Sequence, residues 1–426
     1  MTDVKDGPSL PRRGVDAINA ALSAIGALSL RPRPPEEFFT PPTEVPAERG
    51  ALLRTEPASF YLDPLRLLPA PARVQRVMFA STDRDYVPIA VTGTVLTPTR
   101  PRTRRPDRPV VAFAVGTQGM GSQCAPSRQM AMGREYESLF ISGLLARGYN
   151  VVVPDYQGLG LEGVHTYMSR EVQGRVVLDS LRAAQAVEDP DIPAVGPVAI
   201  TGYSQGGGAA ASAAELAPTY APELELRGVV AGAVPGDLTL VARFLDGSPY
   251  FAFLAYALVG LAVDHGVDLD ALLNERGREL AGRVSEQCLF ESLRSFAFTR
   301  SRSLTADGRP ISQHLAEQPL ATLIRGQRLG DGRRPEVEVM LTHSRLDDVV
   351  PYEAGRALAE RWVGQGARVR LQTTYAPTHA AAAVTSYPAA FAFLHARFAG
   401  LRMRANTARY LRSLEQPAEE TTPHSD

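Results

Sequence analysis

A mostly parallel α/β sheet with helices on both faces, interrupted by a mainly helical insertion, is the fold class this sequence predicts. Three observations predict it. Strand-length apolar runs alternate with helical patterns from residue 110 to residue 233. From 236 to about 330 the helical patterns continue without a clear strand. Two further strand-like runs, 337–341 and 369–374, then restore the sheet.

The elements follow in chain order. Residues 74–80 and 89–96 flank the polar Asp83-Arg84-Asp85 and predict an antiparallel hairpin at one sheet edge. Residues 97–108, rich in Pro and Arg, predict a loop. Next come a strand at 110–115, a helix around 135–147, a strand at 150–154 and a helix at about 169–187. The apolar run 195–201 leads into Gly202-Tyr203-Ser204-Gln205-Gly206, and 207–211 open a helix with almost no side-chain bulk. Residues 226–233 are the next strand. Within the insertion, 251–263 are strongly apolar and 269–284 amphipathic. Helices inserted there predict a cap over the carboxyl ends of the strands, where α/β ligands bind.

Gly-x-Ser-x-Gly between strand and helix is a nucleophile elbow, so the expectation sharpens to an α/β-hydrolase fold. The turn is tight enough to force glycine beside the nucleophile. An elbow demands an acid and then a His, in that order, each after a later strand. Asp347 and Asp348 lie in a loop after 337–341 that Pro351 closes, and His379 lies in a loop after 369–374. His395 sits in an apolar helical stretch and His424 near the end of the chain, which suits neither as base. The oxyanion of acyl transfer needs fixed donors. The N–H of Gln205, after the nucleophile, is one; the loop after 110–115 should give another, from Thr117 or Gln118. Asp155 to Gly160 predict a structural turn first and a pocket wall second. His165 and Tyr167 are expected at exposed loop positions first and on that pocket wall second.

Composition bounds the alternatives. The chain has 426 residues, room for two or three average domains, although α/β folds run large as single units. A net charge of −1 gives no bulk attraction to nucleic acid. Lys5 is the only lysine, so a P-loop, a Schiff base and a Ser-Lys dyad are excluded from the body of the protein. Gly116-Thr117-Gln118-Gly119-Met120-Gly121 is therefore no phosphate loop. No run of 18 apolar residues exists to span a membrane. Arg12-Arg13 before a moderately apolar stretch fit a weak export signal or a flexible leader. Cys124 and Cys288 would be buried thiols in a reducing compartment and could pair in an exported chain. The expected units are a leader at 1–35, a hydrolase core at 36–235 and 331–400, the cap at 236–330 and a tail at 401–426.

Cys124-Ala-Pro-Ser127, Gly202 to Gly206, Phe244-Leu-Asp-Gly-Ser-Pro249, Asp347-Asp-Val-Val-Pro-Tyr352 and Phe38-Phe-Thr-Pro-Pro42 together resemble the secretory lipase family, the lipase A type first known from yeast. The resemblance runs from about residue 36 to residue 400. It implies a serine esterase or lipase with a helical cap, and puts Ser204, Asp347 and His379 on the family's triad positions. It also implies a Cys124–Cys288 disulfide between the oxyanion loop and the cap. Two departures stand out. Gln118 replaces an acid that contributes to the oxyanion hole of the yeast enzymes, and their second disulfide is missing. The expected substrate is a small-molecule or lipid ester, met in transient contact with a lipid interface. No cofactor, metal or nucleic acid is expected. The same three groups would serve a serine acyltransferase or a peptidase; a binding protein on a hydrolase fold would have no use for all three. The resemblance leans toward export or the cell envelope, with a cytoplasmic location left open.

Overall fold

The computed structural model describes residues 37–103, 105 and 107–401. The expected leader, the tail beyond 401 and His424 lie outside them.

The predicted hairpin forms from β2 (Ala72–Thr82) and β3 (Pro88–Pro98), paired in unbroken antiparallel register from Ala72↔Pro98 to Thr82↔Pro88. The Asp83 carboxylate closes its turn by accepting from Asp85 N and Val87 N, both at 2.9 Å. An edge strand that the sequence reading missed, β1 (Leu52–Pro57), adds outside β2. Arg54 on β1 donates to the carbonyls of Glu37, Phe38 and Thr40. That anchors the segment whose Phe38 and Phe39 pack with Met78 and Leu161.

The rest of the sheet is parallel. β4 (Val110–Ala114), β5 (Asn150–Pro154), β6 (Pro197–Tyr203), β7 (Glu225–Gly232), β8 (Val339–Ser344) and β9 (Val369–Thr374) complete a nine-stranded order β1-β2-β3-β5-β4-β6-β7-β8-β9. Every residue of β4, β5 and β8 is buried, because strands of a parallel sheet are covered on both faces. Among the described helices, α1 (Pro126–Ala131), α2 (Ser138–Ala146), α3 (Arg170–Ala186) and α4 (Gln205–Tyr220) precede the insertion. The small side chains of α4 let it approach α3 closely: a Cβ on Gly174 would lie 2.7 Å from Ser212 Oγ.

The insertion between β7 and β8 holds α5 (Leu238–Leu245), α6 (Phe251–His265), α7 (Glu275–Glu286), α8 (Leu289–Phe296), α9 (Ile311–His314) and α10 (Leu320–Gly326). These helices share a second apolar core, with Leu238, Leu254, Tyr256, Val284 and Phe296 buried in it. α11 (Tyr352–Gly364) and α12 (His379–Phe398) then flank β9.

Cys124 and Cys288 are bonded, with Cα atoms 5.4 Å apart. Backbone hydrogen bonds reinforce the link: Met120 N donates to Gln287 O (3.1 Å) and Leu289 N to Gln118 O (2.9 Å). The loop after β4 is thus fixed to the start of α8 on both sides of the bond.

Candidate active site

Ser204 forms the turn from β6 into α4 with φ 59° and ψ −120°, a region few non-glycine residues enter. Three close approaches explain the flanking glycines. A Cβ would lie 2.3 Å from Gly206 O at Gly202, 1.9 Å from Ala114 O at Gly206, and 2.1 Å from Gly232 O at Gly207. Ser204 N donates to Gly232 O at 2.9 Å, tying the turn to β7.

Asp347 and His379 meet beside it. His379 Nδ1 lies 2.9 Å and 2.8 Å from the two Asp347 carboxylate oxygens. A carboxylate only accepts, so Nδ1 carries the proton and Nε2 keeps its lone pair. Asp347 Oδ1 also accepts from Val349 N (2.9 Å) and Val350 N (2.8 Å). Burial alone would raise the Asp347 carboxyl. The His379 hydrogen bond and charge, with smaller help from His343 and Val350 N, hold it below the usual carboxylate range. A depressed folded pKa favours folding above the unfolded value, and that contribution is lost as pH falls through the folded one.

The neighbouring acid has a different task. Asp348 Oδ1 accepts from the backbone His379 N at 2.7 Å, and Oδ2 from Tyr250 Oη at 2.8 Å. His379 is the first residue of α12, rather than a loop residue, with Thr378 capping the helix through Ala381 N. Among the described residues no hydrogen bond joins Ser204 Oγ to His379 Nε2. Tyr203 connects the two instead: its hydroxyl donates to His379 O at 3.0 Å, and the rings lie 4.9 Å apart. Nucleophile–base contacts of unliganded enzymes often tighten only with substrate.

His343 precedes the acid in the chain, so the acid-then-His order of an elbow does not single it out. It is buried on β8, donates from Nε2 to Val350 O at 2.9 Å, and braces the loop that carries Asp347. Burial lowers its imidazole pKa. Gly355 leaves it room, since a Cβ there would lie 2.3 Å from His343 Nδ1. His395 pairs with Arg105 at 2.8 Å, far in role from the site.

On the opposite side, Gln205 is the first residue of α4, where backbone N–H groups lack helical partners. Thr117 and Gln118 are both buried. Thr117 Oγ1 pairs with Tyr167 Oη at 2.6 Å, and Gln118 Nε2 donates to Glu135 Oε1 at 3.2 Å. Residues 135–137 hold this loop from below: Glu137 Oε2 accepts from Gly116 N (2.6 Å) and Tyr136 Oη donates to Thr117 O (3.0 Å). Burial pushes Glu135 up to about 7, and burial plus the Glu135 charge push Glu137 well above its usual range. Asp155 is structural as expected, accepting from Ser127 N, Ser127 Oγ and Thr92 Oγ1. The exposed placement expected for His165 and Tyr167 is wrong: they are 0% and 3% exposed. Tyr167 packs under α6 against Tyr256 and lines the cavity at Ser204, while His165 lies between Tyr156, Tyr167 and Gln205. A Cβ on Gly260 would sit 2.4 Å from Tyr167 N.

Ser204 opens into an apolar cavity lined by Leu238, Val241, Phe253, Leu254 and Val350. A second cavity shares Leu238, Ala242, Leu254 and Ala257 with it and runs on to Leu261, Leu315 and Ile324. Among the described residues no cluster of His, Cys, Asp or Glu is arranged to hold a metal ion, and no helix is long and apolar enough to cross a membrane.

Known proteins resemble this arrangement. The chain is 32% identical to a secreted triacylglycerol lipase of Malassezia globosa, over 68% of this chain and 64% of that protein. It is 29% identical to a probable inactive lipase of Mycobacterium tuberculosis, over 87% of this chain and 84% of that one. Candida antarctica lipase A in its closed state superposes with a TM-score of 0.77 at 21% identity, covering 90% of this chain and 96% of that one. That likeness, with the sheet order and the inserted helices, gives the α/β-hydrolase fold. Residues 125–406 match the model of secretory lipases, and the chain belongs to that family.

Proposed function

We propose that this protein is a serine carboxylic-ester hydrolase for esters with an apolar acyl chain, working through an acyl-enzyme on Ser204. The observation that carries the reading is the His379–Asp347 pair beside the strained Ser204 turn, with an apolar cavity at the serine. His379 Nε2 takes the Ser204 proton as Oγ attacks the ester carbonyl, then returns a proton to the leaving alcohol. Asp347 holds the tautomer and balances the imidazolium. Water repeats the sequence to release the acid. The oxyanion is stabilised by Gln205 N and by a backbone N–H of Thr117 or Gln118. Helices 238–326 act as the cap that lends the acyl chain its apolar walls. The relatives named as secreted, and the disulfide, favour an exported protein.

The likeness to a probable inactive lipase sharpens the test. Rates on a series of nitrophenyl esters of increasing acyl length, beside the matching amides, are compared for wild type and Ser204→Ala. Serine-dependent turnover of the esters is expected; dominant amide cleavage or no turnover would overturn the reading.

Two substitutions probe the parts. Leu254 borders both cavities, so Leu254→Trp should block the longer acyl chains and spare short ones. Each methylene kept from burial costs about 0.8 kcal/mol, so excluding three lowers kcat/KM for long esters roughly 50-fold. Gln118→Ala tests the departure from the yeast enzymes. Its amide is turned to Glu135, and the substitution leaves the backbone N–H groups of the loop in place, so the expected kcat loss is less than about tenfold, well under the 10²–10³ of a lost oxyanion donor. Steady-state kinetics of the two variants read both.

A further inference from the structure

Both walls of the proposed oxyanion hole lean on buried side chains of one segment, 156–167. Tyr156 Oη donates to Val115 O at 3.1 Å, at the start of the loop after β4. Tyr167 Oη pairs with Thr117 Oγ1 at 2.6 Å, two residues further along that loop. Between them in sequence, His165 reaches the other wall: its Nε2 lies 2.8 Å from Gln205 Nε2. His165 also stacks on Tyr156 (5.9 Å between centroids, 19° between planes) and meets Tyr167 edge-on at 5.8 Å. Tyr156, His165, Tyr167 and Gln205 are each 3% exposed or less.

The protons in this arrangement have one consistent placement. His165 Nδ1 faces Gln157 O at 2.7 Å, and a carbonyl only accepts, so Nδ1 carries the hydrogen. A neutral imidazole then offers a lone pair at Nε2, and the Gln205 amide donates to it. Burial keeps the ring neutral by pushing its pKa down to about 4. The Gln205 side chain therefore has one allowed orientation at the first residue of α4.

We propose that His165 is a positioning residue for ester cleavage, fixing Gln205 against the 115–118 loop so that the two oxyanion donors keep their separation. The inference rests on the acyl-enzyme reading of Ser204. It goes beyond that reading by assigning the geometry of the hole to the segment 156–167. A donor displaced by even 1 Å from a developing charge can cost about 10²-fold in rate.

His165→Phe keeps the stacking but removes both hydrogen bonds, His165→Gln restores an acceptor for Gln205, and Tyr167→Phe removes only the contact to Thr117. The readouts are kcat and KM on a short-chain nitrophenyl ester, inhibition by a trifluoromethyl ketone that forms an oxyanion on Ser204, and melting temperature. His165→Phe and Tyr167→Phe are expected to lower kcat on the order of 10- to 100-fold and to weaken the ketone by a matching factor, with KM little changed. His165→Gln should recover most of the His165→Phe loss. Unchanged kcat in His165→Phe and Tyr167→Phe, or a loss that follows melting temperature and leaves ketone affinity intact, overturns the inference. Fluorophosphonate tagging of the wild type separates the two levels. An untagged wild type sinks the acyl-enzyme reading itself, whereas tagged variants with wild-type kcat sink only the positioning role.

Discussion

Ser204→Ala is expected to lower kcat on a nitrophenyl ester by on the order of 10⁵- to 10⁶-fold while leaving KM nearly unchanged. The substitution removes the one atom that forms the new bond and nothing that binds the ester. The apolar walls at Leu238, Val241 and Leu254 remain, and so do the N–H groups at the start of α4. A residual rate above water from those donors and the bound geometry is therefore expected. Stability should hardly move. The backbone at 204 stays at positive φ with either residue, and the Ser204 side chain makes no capping hydrogen bond. A fluorophosphonate should add its mass to the Ser204 peptide of the wild type and leave Ser204→Ala unmodified. A folded wild type that hydrolyses no ester and takes no label would place the chain with the probable inactive mycobacterial relative.

The parts legible in the sequence were those whose causes are local. The elbow needs glycine wherever a Cβ would strike Ala114 O, Gly232 O or Gly206 O, and those glycines announce it. The central strands β4 and β5 are short, largely apolar runs because both faces are covered, and they start where the sequence places them. β8 instead runs three residues past its expected end, through the polar Thr342, His343 and Ser344. β1 was missed because Leu-Leu-Arg-Thr-Glu-Pro does not alternate. Its stability comes from pairing with β2 and from the Arg54 anchor to Glu37, Phe38 and Thr40. The burial of His165 and Tyr167 was hidden for a related reason. A Gly-rich stretch with polar residues looks like a surface loop until α6, about ninety residues later in the chain, covers Tyr167, and Gln205 meets His165. The support of Gly116 and Thr117 by Glu137 and Tyr136 is long-range in the same way. No periodicity records which loop a buried carboxylate will meet.

Sequence sets Asp347 and Asp348 side by side, and the test that separates them carries the second-largest effect. Adjacent acids in one turn send their carboxylates to different atoms: Asp347 to His379 Nδ1, Asp348 to the His379 backbone N–H and to Tyr250. Asp347→Asn is expected to cost about 10⁴ in kcat. The reason is which atoms are already committed. Val349 N and Val350 N both donate to Oδ1, so an asparagine oxygen is drawn there and its NH₂ turns toward Nδ1. Facing a donor, Nδ1 must accept, and the imidazole proton moves to Nε2. The lone pair that should take the Ser204 proton is then gone, although the fold is intact. Asp348→Asn keeps an oxygen for His379 N and leaves an NH₂ that donates to Tyr250 Oη. Its expected loss is below about tenfold, because the backbone tether survives. Parallel measurement of kcat and melting temperature decides the matter. A mild Asp347→Asn beside a crippled Asp348→Asn would exchange the roles of the two acids. The imidazole would then have to swing away from the bidentate partner seen at 2.8 and 2.9 Å.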